Sequence, residues 1–237
     1  MIKEAIILAG GLGTRLSGTI AEELPKCMAP VNGRPFLDYL LQYLDDLGLK
    51  RVILSVGHKH QLITEHYGNV FADLQLDYAI ESEPLGTGGA LRLAMQQVQE
   101  PLVLVMNGDT FFEMDVPKLL NAQRSSEAVI TLALYEANDV SRYGSVTMDE
   151  ERRITGFAEK NQSTGKGLIN AGMYMINKRY FNSKQLPEKF SFERDFLQKY
   201  YSADRIFGLI CRQYFIDIGI PADYQKAQDD FKEFAYF

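Results

Sequence analysis

The feature that most constrains this chain is a rhythm in its first half. Short apolar, β-rich runs alternate with longer stretches of helical spacing. Ala5–Leu8, Arg51–Val56, Leu76–Ala79 and Leu102–Met106 read as strands. Between them, Phe36–Leu47, Gln61–Tyr67 and Gly88–Val98 carry apolar residues near i, i+3 and i+4, as helices do. Leu102–Met106 is five consecutive apolar residues, so neither face of that strand can be given to water. Strands of this kind, each followed by a helix, predict a three-layer α/β/α fold around a mostly parallel central sheet.

The second half is more mixed. Ala128–Tyr135 and Gly172–Ile176 predict strands, and Tyr143–Met148 with Ile154–Phe157 predicts a hairpin around Asp149–Arg153. Phe192–Tyr200 reads as a helix, Tyr214–Ile218 as a short strand, and Pro221–Phe234 as a terminal helix with proline in its first turn. No linker, composition shift or internal repeat divides the chain. The expectation is one domain over 1–237, with about 1–110 and about 111–237 as its two halves.

Composition excludes several classes. The net charge is −6, from 25 basic and 31 acidic residues, which argues against nucleic-acid binding. No stretch of 18 apolar residues predicts a membrane span, and the run Ala5–Ala9 is too short for a signal segment. The two cysteines, Cys27 and Cys211, make neither a disulfide framework nor a metal spacing, so a reducing, cytoplasmic compartment is expected. An acidic chain that binds anions must gather its positive charge locally.

Two strand ends carry glycine-rich turns. The first is Leu8-Ala9-Gly10-Gly11-Leu12-Gly13-Thr14-Arg15-Leu16. Its glycines let backbone N–H groups face an anion closely, and Arg15 adds a fixed charge. It lacks the last small residue of a dinucleotide fingerprint and the Lys-Ser/Thr of a Walker loop. Pro25-Lys26 follows, and a lysine there could neutralise phosphate charge. The second turn runs Glu81-Ser82-Glu83-Pro84-Leu85-Gly86-Thr87-Gly88-Gly89-Ala90, where the backbone could approach a base or ribose. Each turn could also be an ordinary strand-to-helix connection. Asp109, after Leu102–Gly108, and Asp217, after Tyr214–Ile216, are carboxylates at strand ends. With phosphate oxygens, two carboxylates form the hard oxygen set that Mg²⁺ prefers, although a lone aspartate in such a place often caps a helix. His58, His60 and His66 with Glu65 read as a solvated loop and helix face rather than a zinc site. The C-terminal Phe231, Phe234, Tyr236 and Phe237 read as core or subunit contact.

Taken together, these segments resemble the sugar-1-phosphate nucleotidyltransferase family. The glycine loop Gly10–Leu16 and Pro25-Lys26 match its signature. The likeness continues through Gly86-Thr87-Gly88-Gly89, Asn107-Gly108-Asp109, Tyr143-Gly144, Glu159-Lys160, Asn170-Ala171-Gly172 and Asp217-Ile218-Gly219. The resemblance implies a Rossmann-like nucleotidyltransferase fold of the GT-A kind. It implies Arg15, Lys26 and Asp109 in catalysis, and Leu8, Ala9, Gly10, Gly11, Gly13, Thr14, Glu81, Pro84, Gly86 and Thr87 around the nucleotide. It implies Gly144, Glu159, Lys160, Asn170 and Arg194 around the sugar phosphate, and Asp109 and Asp217 on Mg²⁺. It also implies a homo-oligomer, with a dimer favoured.

Within the family, Glu83–Ala90 looks most like the guanylyltransferases, since thymidylyl enzymes carry a different segment there. The expected substrates are therefore GTP and a sugar 1-phosphate, with a manno-configured heptose favoured over mannose. The product would feed capsule, lipopolysaccharide or S-layer glycans. No segment reads as the left-handed β-helix of many relatives, so no acetyltransferase activity is expected. A catalytically dead sensor of sugar nucleotides would tend to lose Arg15, Lys26 or an aspartate, and all are present. A glycosyltransferase would want Asp-x-Asp, where this chain has Asp109-Thr110-Phe111.

Overall fold

The structure is a computed structural model that describes residues 1–11, 24–160 and 162–232. Among the described residues the strands are β1 (Glu4–Leu8), β2 (Pro30–Val31), β3 (Arg34–Pro35), β4 (Arg51–Val56), β5 (Val70–Phe71), β6 (Leu74–Ile80), β7 (Leu102–Asn107), β8 (Thr110–Phe112), β9 (Ile130–Ala137), β10 (Ser145–Met148), β11 (Ile154–Ala158), β12 (Gly167–Asn177), β13 (Ile206–Cys211) and β14 (Phe215–Asp217). The helices are α1 (Phe36–Asp46), α2 (His60–Tyr67), α3 (Gly86–Met95), α4 (Val116–Ser125), α5 (Lys178–Ser183), α6 (Gln198–Tyr200) and α7 (Pro221–Asp230). A π-helical turn, Phe192–Leu197, runs directly into α6.

The heart of the sheet is parallel, in the order β6-β4-β1-β7. Chain order along it is third, second, first, fourth, so the connections reverse direction between β1 and β7. β12 then lies antiparallel to β7, and β9, β10, β11 and β13 extend that side. Both faces are covered, as the apolar runs require. In β1, Ala5 and Ile7 enter one core while Ile6 enters the other. In β7, Leu104 and Met106 face the first core and Val103 and Val105 the second. α1 packs on the first face through Phe36, Leu37, Leu40, Leu41 and Leu44, all fully buried. The second face holds α3, α5 and the aromatic group Phe181, Phe192 and Phe196.

Differences from expectation have local causes. α3 starts two residues earlier than its apolar pattern and stops at Met95, where Gln96 and Gln97 donate to Leu93 and Ala94 in a tightened last turn. α4 was not anticipated, although Asp115 caps it by accepting from Lys118 N and Pro117 sits in its first turn. β12 is longer than predicted, because a polar, glycine-containing stretch, Asn170–Gly172, interrupts its pattern. Phe231 is buried against Tyr39, Phe111 and Tyr214, and the rest of the C-terminal aromatic set lies outside the described residues. The two cysteines are free and buried.

Candidate active site

In an open α/β sheet, ligands bind beyond the carboxyl ends of the strands, where the connections reverse. Here that point lies between β1 and β7. Gly108 N–H donates to Leu8 O at 2.9 Å, and Ala9 N–H to Ser55 O at 2.8 Å, so the ends of β1, β4 and β7 are held level. A cleft of about 800 Å³ opens over them.

The floor of the cleft is charged. Lys26 opens a short 3₁₀ turn, Lys26–Met28, that follows Pro25. β8 pairs antiparallel with β14, so Asp217 lies opposite Thr110, and Ile218 N–H donates to Asp109 O at 3.0 Å. That pairing brings Asp109 and Asp217 together across 108 residues of chain. Lys26 Nζ makes an ion pair with Asp109 Oδ2 and lies 3.9 Å from Asp217 Oδ1. Gly219 N–H holds Asp217 Oδ1 at 2.7 Å. A Cβ at position 219 would lie 2.5 Å from Lys26 Nζ, so a side chain there would have to displace the lysine head. Two carboxylates thus converge on one cation, a donor set that also suits a hard divalent ion. Among the described residues no cluster of three His, Cys, Asp or Glu could hold a metal alone, so phosphate or water oxygens would have to complete the shell. The three histidines form no such cluster either. Burial pushes the neighbouring Cys27 thiol up to about 12, so it stays protonated beside this charge.

One wall comes from the ends of β1 and β6. Glu81 Oε2 accepts from Leu85 N at 2.9 Å, and a Cβ at Gly10 would meet Glu81 Oε1 at 2.5 Å. Burial raises the Glu81 carboxyl above its ordinary value, partly offset by the Leu85 N–H. The glycines that open α3 are packed against the protein on one side. A Cβ at Gly86 would lie 2.6 Å from Phe190 O, one at Gly88 would enter the Phe190 ring, and one at Gly89 would lie 2.5 Å from Glu188 O. Gly88 N–H donates to Phe190 O, and Arg92 Nη1 and Nη2 donate to Leu186 O, Pro187 O and Glu188 O. On the side where a side chain would stand these glycines admit a protein segment, 186–190, while Gly86 and Thr87 also line the cleft. The Thr87 hydroxyl is likewise engaged, with Phe192 N–H and Glu193.

The opposite wall comes from β10, β11, β12 and the π-helical turn. Tyr143-Gly144 precedes β10, and Tyr143, pushed up to about 12 by burial, packs on Phe215. Glu159 follows β11 and accepts from Gln198 Nε2 at 3.1 Å. Asn170 sits where the pairing of β12 with β9 slips between Asn170 and Tyr174. Such a bulge re-aims side chains. Lys160 and Arg194 are exposed, and no ion pair among the described residues holds either. They differ in this from Lys26.

The cleft therefore gathers the predicted Leu8, Ala9, Gly10, Gly11, Lys26, Glu81, Pro84, Gly86, Thr87, Asp109, Gly144, Glu159, Lys160, Asn170, Arg194 and Asp217. Gly13, Thr14 and Arg15 lie outside the described residues. Sequence reasoning passed over Tyr174 and Glu193, which also line the cleft. Tyr174 shares a strand with Asn170 four residues on, a spacing that could have been read. Glu193 adjoins Arg194, but nothing in its neighbourhood marks it.

The nucleotidyl transferase family model matches residues 4–233. The D-glycero-alpha-D-manno-heptose 1-phosphate guanylyltransferase of Aneurinibacillus thermoaerophilus is 45% identical over 98% of this chain and 99% of its own length. The protein of the same name from Campylobacter jejuni is 46% identical, over 93% and 96%. Crystal structures of HddC from Yersinia pseudotuberculosis, alone and complexed with GMP-PN, superpose with TM-scores of 0.87 and 0.86 at 38% identity, covering 97% of this chain and 100% of that one.

Proposed function

The chain belongs to the nucleotidyl transferase family, and we propose that it joins GTP to D-glycero-D-manno-heptose 1-phosphate, giving a GDP-heptose and pyrophosphate. The observation that carries this reading is the cleft at the reversal point of the sheet. It combines a glycine turn, a lysine–aspartate floor and a second wall with free cations. The names of the two relatives favour guanosine and heptose. The mannose 1-phosphate alternative shares the ring stereochemistry and differs at the exocyclic end.

The chemistry is an in-line displacement. An oxygen of the sugar 1-phosphate attacks the α-phosphorus of GTP, one P–O bond forms, and the bond to the β-phosphate bridging oxygen breaks. Pyrophosphate leaves with that electron pair. No covalent enzyme intermediate is needed, so the protein contributes position and charge. Gly10 and Gly11 offer backbone N–H groups to the phosphates, and Arg15 holds the leaving pyrophosphate. Lys26 neutralises charge that builds on the α-phosphate. Glu81 accepts the two N–H donors of the guanine Watson–Crick edge, a pattern that uracil and thymine lack. Glu159 and Asn170 bind sugar hydroxyls, Gly144 leaves room for the ring, and Lys160 and Arg194 take the sugar phosphate. Mg²⁺, held by Asp109 and Asp217, supplies further charge neutralisation when bound. The family resemblance also carries a homodimeric, cytoplasmic enzyme. No described helix is long and apolar enough to cross a membrane.

The test is a matrix of four nucleoside triphosphates against a panel of sugar 1-phosphates with Mg²⁺, read as pyrophosphate release. Release with GTP and heptose 1-phosphate is expected. Release with mannose 1-phosphate alone would move the sugar assignment, and release with dTTP and glucose 1-phosphate would overturn both base and sugar.

A further inference from the structure

The second wall contains a carboxylate that the mechanism above does not use. Glu193 is half-buried on the π-helical turn. Its Oε2 accepts from Thr87 Oγ1 at 3.0 Å and from Ser191 Oγ at 3.3 Å. Its Oε1 lies 3.4 Å from the hydroxyl of Tyr174. Tyr174 is wholly buried, edge-on to Phe192 at 5.0 Å, and its hydroxyl also meets Asn170 Nδ2 at 2.6 Å.

The proton order along this chain of groups is fixed. Gly172 N–H donates to Asn170 Oδ1 at 3.1 Å, so the amide nitrogen is the atom turned to Tyr174. An amide nitrogen only donates, so the tyrosine oxygen accepts. The tyrosine proton must then go to its other neighbour, Glu193 Oε1, and a carboxylate only accepts. The same logic holds on the first wall. Phe192 N–H donates to Thr87 Oγ1 at 2.9 Å, which leaves the threonine proton for Glu193 Oε2. One carboxylate thus terminates a hydroxyl chain from each wall.

We propose that Glu193 is a positioning residue for the acceptor sugar, acting through Tyr174 to fix the orientation of the Asn170 amide. The inference rests on the reading of Asn170 as a sugar contact. Once bonded to Gly172 and Tyr174, Asn170 keeps one N–H and one carbonyl lone pair for a ligand hydroxyl, in one sense only. The bulge at Ala171–Met173, with Gly172 at φ +71°, is what brings Asn170 and Tyr174 side by side. Through Thr87, the same carboxylate ties this wall to the start of α3. Acceptor geometry is thereby referenced to the nucleotide wall.

Glu193→Gln tests this. Its amide can donate to Tyr174, which reverses the chain and frees Asn170 to turn. The KM for the sugar 1-phosphate should rise about tenfold, while the nucleotide KM moves less than about twofold, as expected when ground-state positioning of one substrate is lost. Tyr174→Phe cuts the same chain at its middle, so it should raise the sugar KM alike. The double variant should then be no worse than either single, since neighbours on one chain do not add. Asn170→Ala is the reference. If it leaves the sugar KM unmoved, the reading of Asn170 falls, whatever Glu193 does. If it raises the sugar KM and Glu193→Gln does not, or the cycle with Tyr174→Phe is additive, the relay is overturned. If Glu193→Gln folds poorly, Tyr174→Phe alone decides, by raising the sugar KM or leaving it unchanged.

Discussion

Two glycine turns follow β1 and β6, on either side of β4, and in sequence they look alike. They differ in what occupies the space that their missing side chains leave. At Gly11, among the described residues, nothing lies within 4 Å of where a Cβ would be. At Gly86, Gly88 and Gly89 that space is filled by the 186–190 segment, with Phe190 at its centre. Among the described residues Gly11 thus has open space on that side. In the second turn that space is taken by the protein, although the turn lines the same cleft, and its glycines let the second half of the chain dock on the first. A glycine cluster therefore reports close approach, and only the tertiary structure says by what.

The largest effect should come from the charged floor beside the open turn. Lys26→Ala and Asp109→Ala should each lower kcat about 100- to 1000-fold, the cost of losing one electrostatic contact to the reacting phosphate. Thermal unfolding should shift little, since neither residue belongs to the apolar core. Near-normal turnover in either variant removes that residue from the mechanism.

The comparison itself is tested by alanine at one glycine of each turn. Gly88→Ala drives a methyl into the Phe190 ring, so it should cost about 1–3 kcal/mol in denaturant unfolding, as overpacking does. Gly11→Ala should stay within about 0.5 kcal/mol of wild type, yet raise the KM for nucleotide. If both variants lose stability equally, the distinction between open and closed turns is wrong.

Glu81 sharpens the reading of the open side. Glu81→Gln keeps the shape but turns one acceptor into a donor, so the preference for GTP over UTP or dTTP should narrow about tenfold. Burial holds the Glu81 carboxyl above its ordinary value, with two opposite consequences. Folding favours the protonated form, so the contribution of Glu81 to stability is present at low pH and lost as pH rises through the raised pKa. Guanine binding needs the carboxylate, so GTP affinity should weaken as pH falls through that same value. Binding titrations from pH 7 downward check this, and a flat profile in wild type would falsify the base-reading role. The smallest effect concerns the floor without nucleotide. Because Lys26 Nζ lies between the two aspartates, Lys26→Met should strengthen the binding of Mn²⁺ alone several-fold, measured by calorimetry. Weaker binding in the variant would mean that the lysine does not compete for that position.

The alternation of strands and helices in the first half, the covering of both sheet faces and the strand-end positions of Asp109 and Asp217 were legible because they follow from apolar periodicity and local turn chemistry. The family motifs named the lining of the cleft for the same reason, since each is a short run of residues. Other features could not be read locally. The pairing of β8 with β14, which brings Asp217 to Asp109, depends on two strands of three residues with no pattern of their own. The filling of the Gly86–Gly89 turn depends on Phe190, and the engagement of Glu193 depends on Thr87 and Tyr174.

By itself, then, the sequence determined the layered α/β architecture and which segments reach the ligand end of the sheet, because solvent exclusion and backbone geometry act over a few residues at a time. Only the tertiary structure decided which carboxylates share a cation, which glycines pack against a distant segment and which hydroxyl chain orients Asn170. Most of those contacts join residues far apart in sequence, from Tyr174 with Glu193, 19 positions apart, to Lys26 with Asp217, and hydrogen bonds and ion pairs of a few ångströms exist only once packing has fixed both partners.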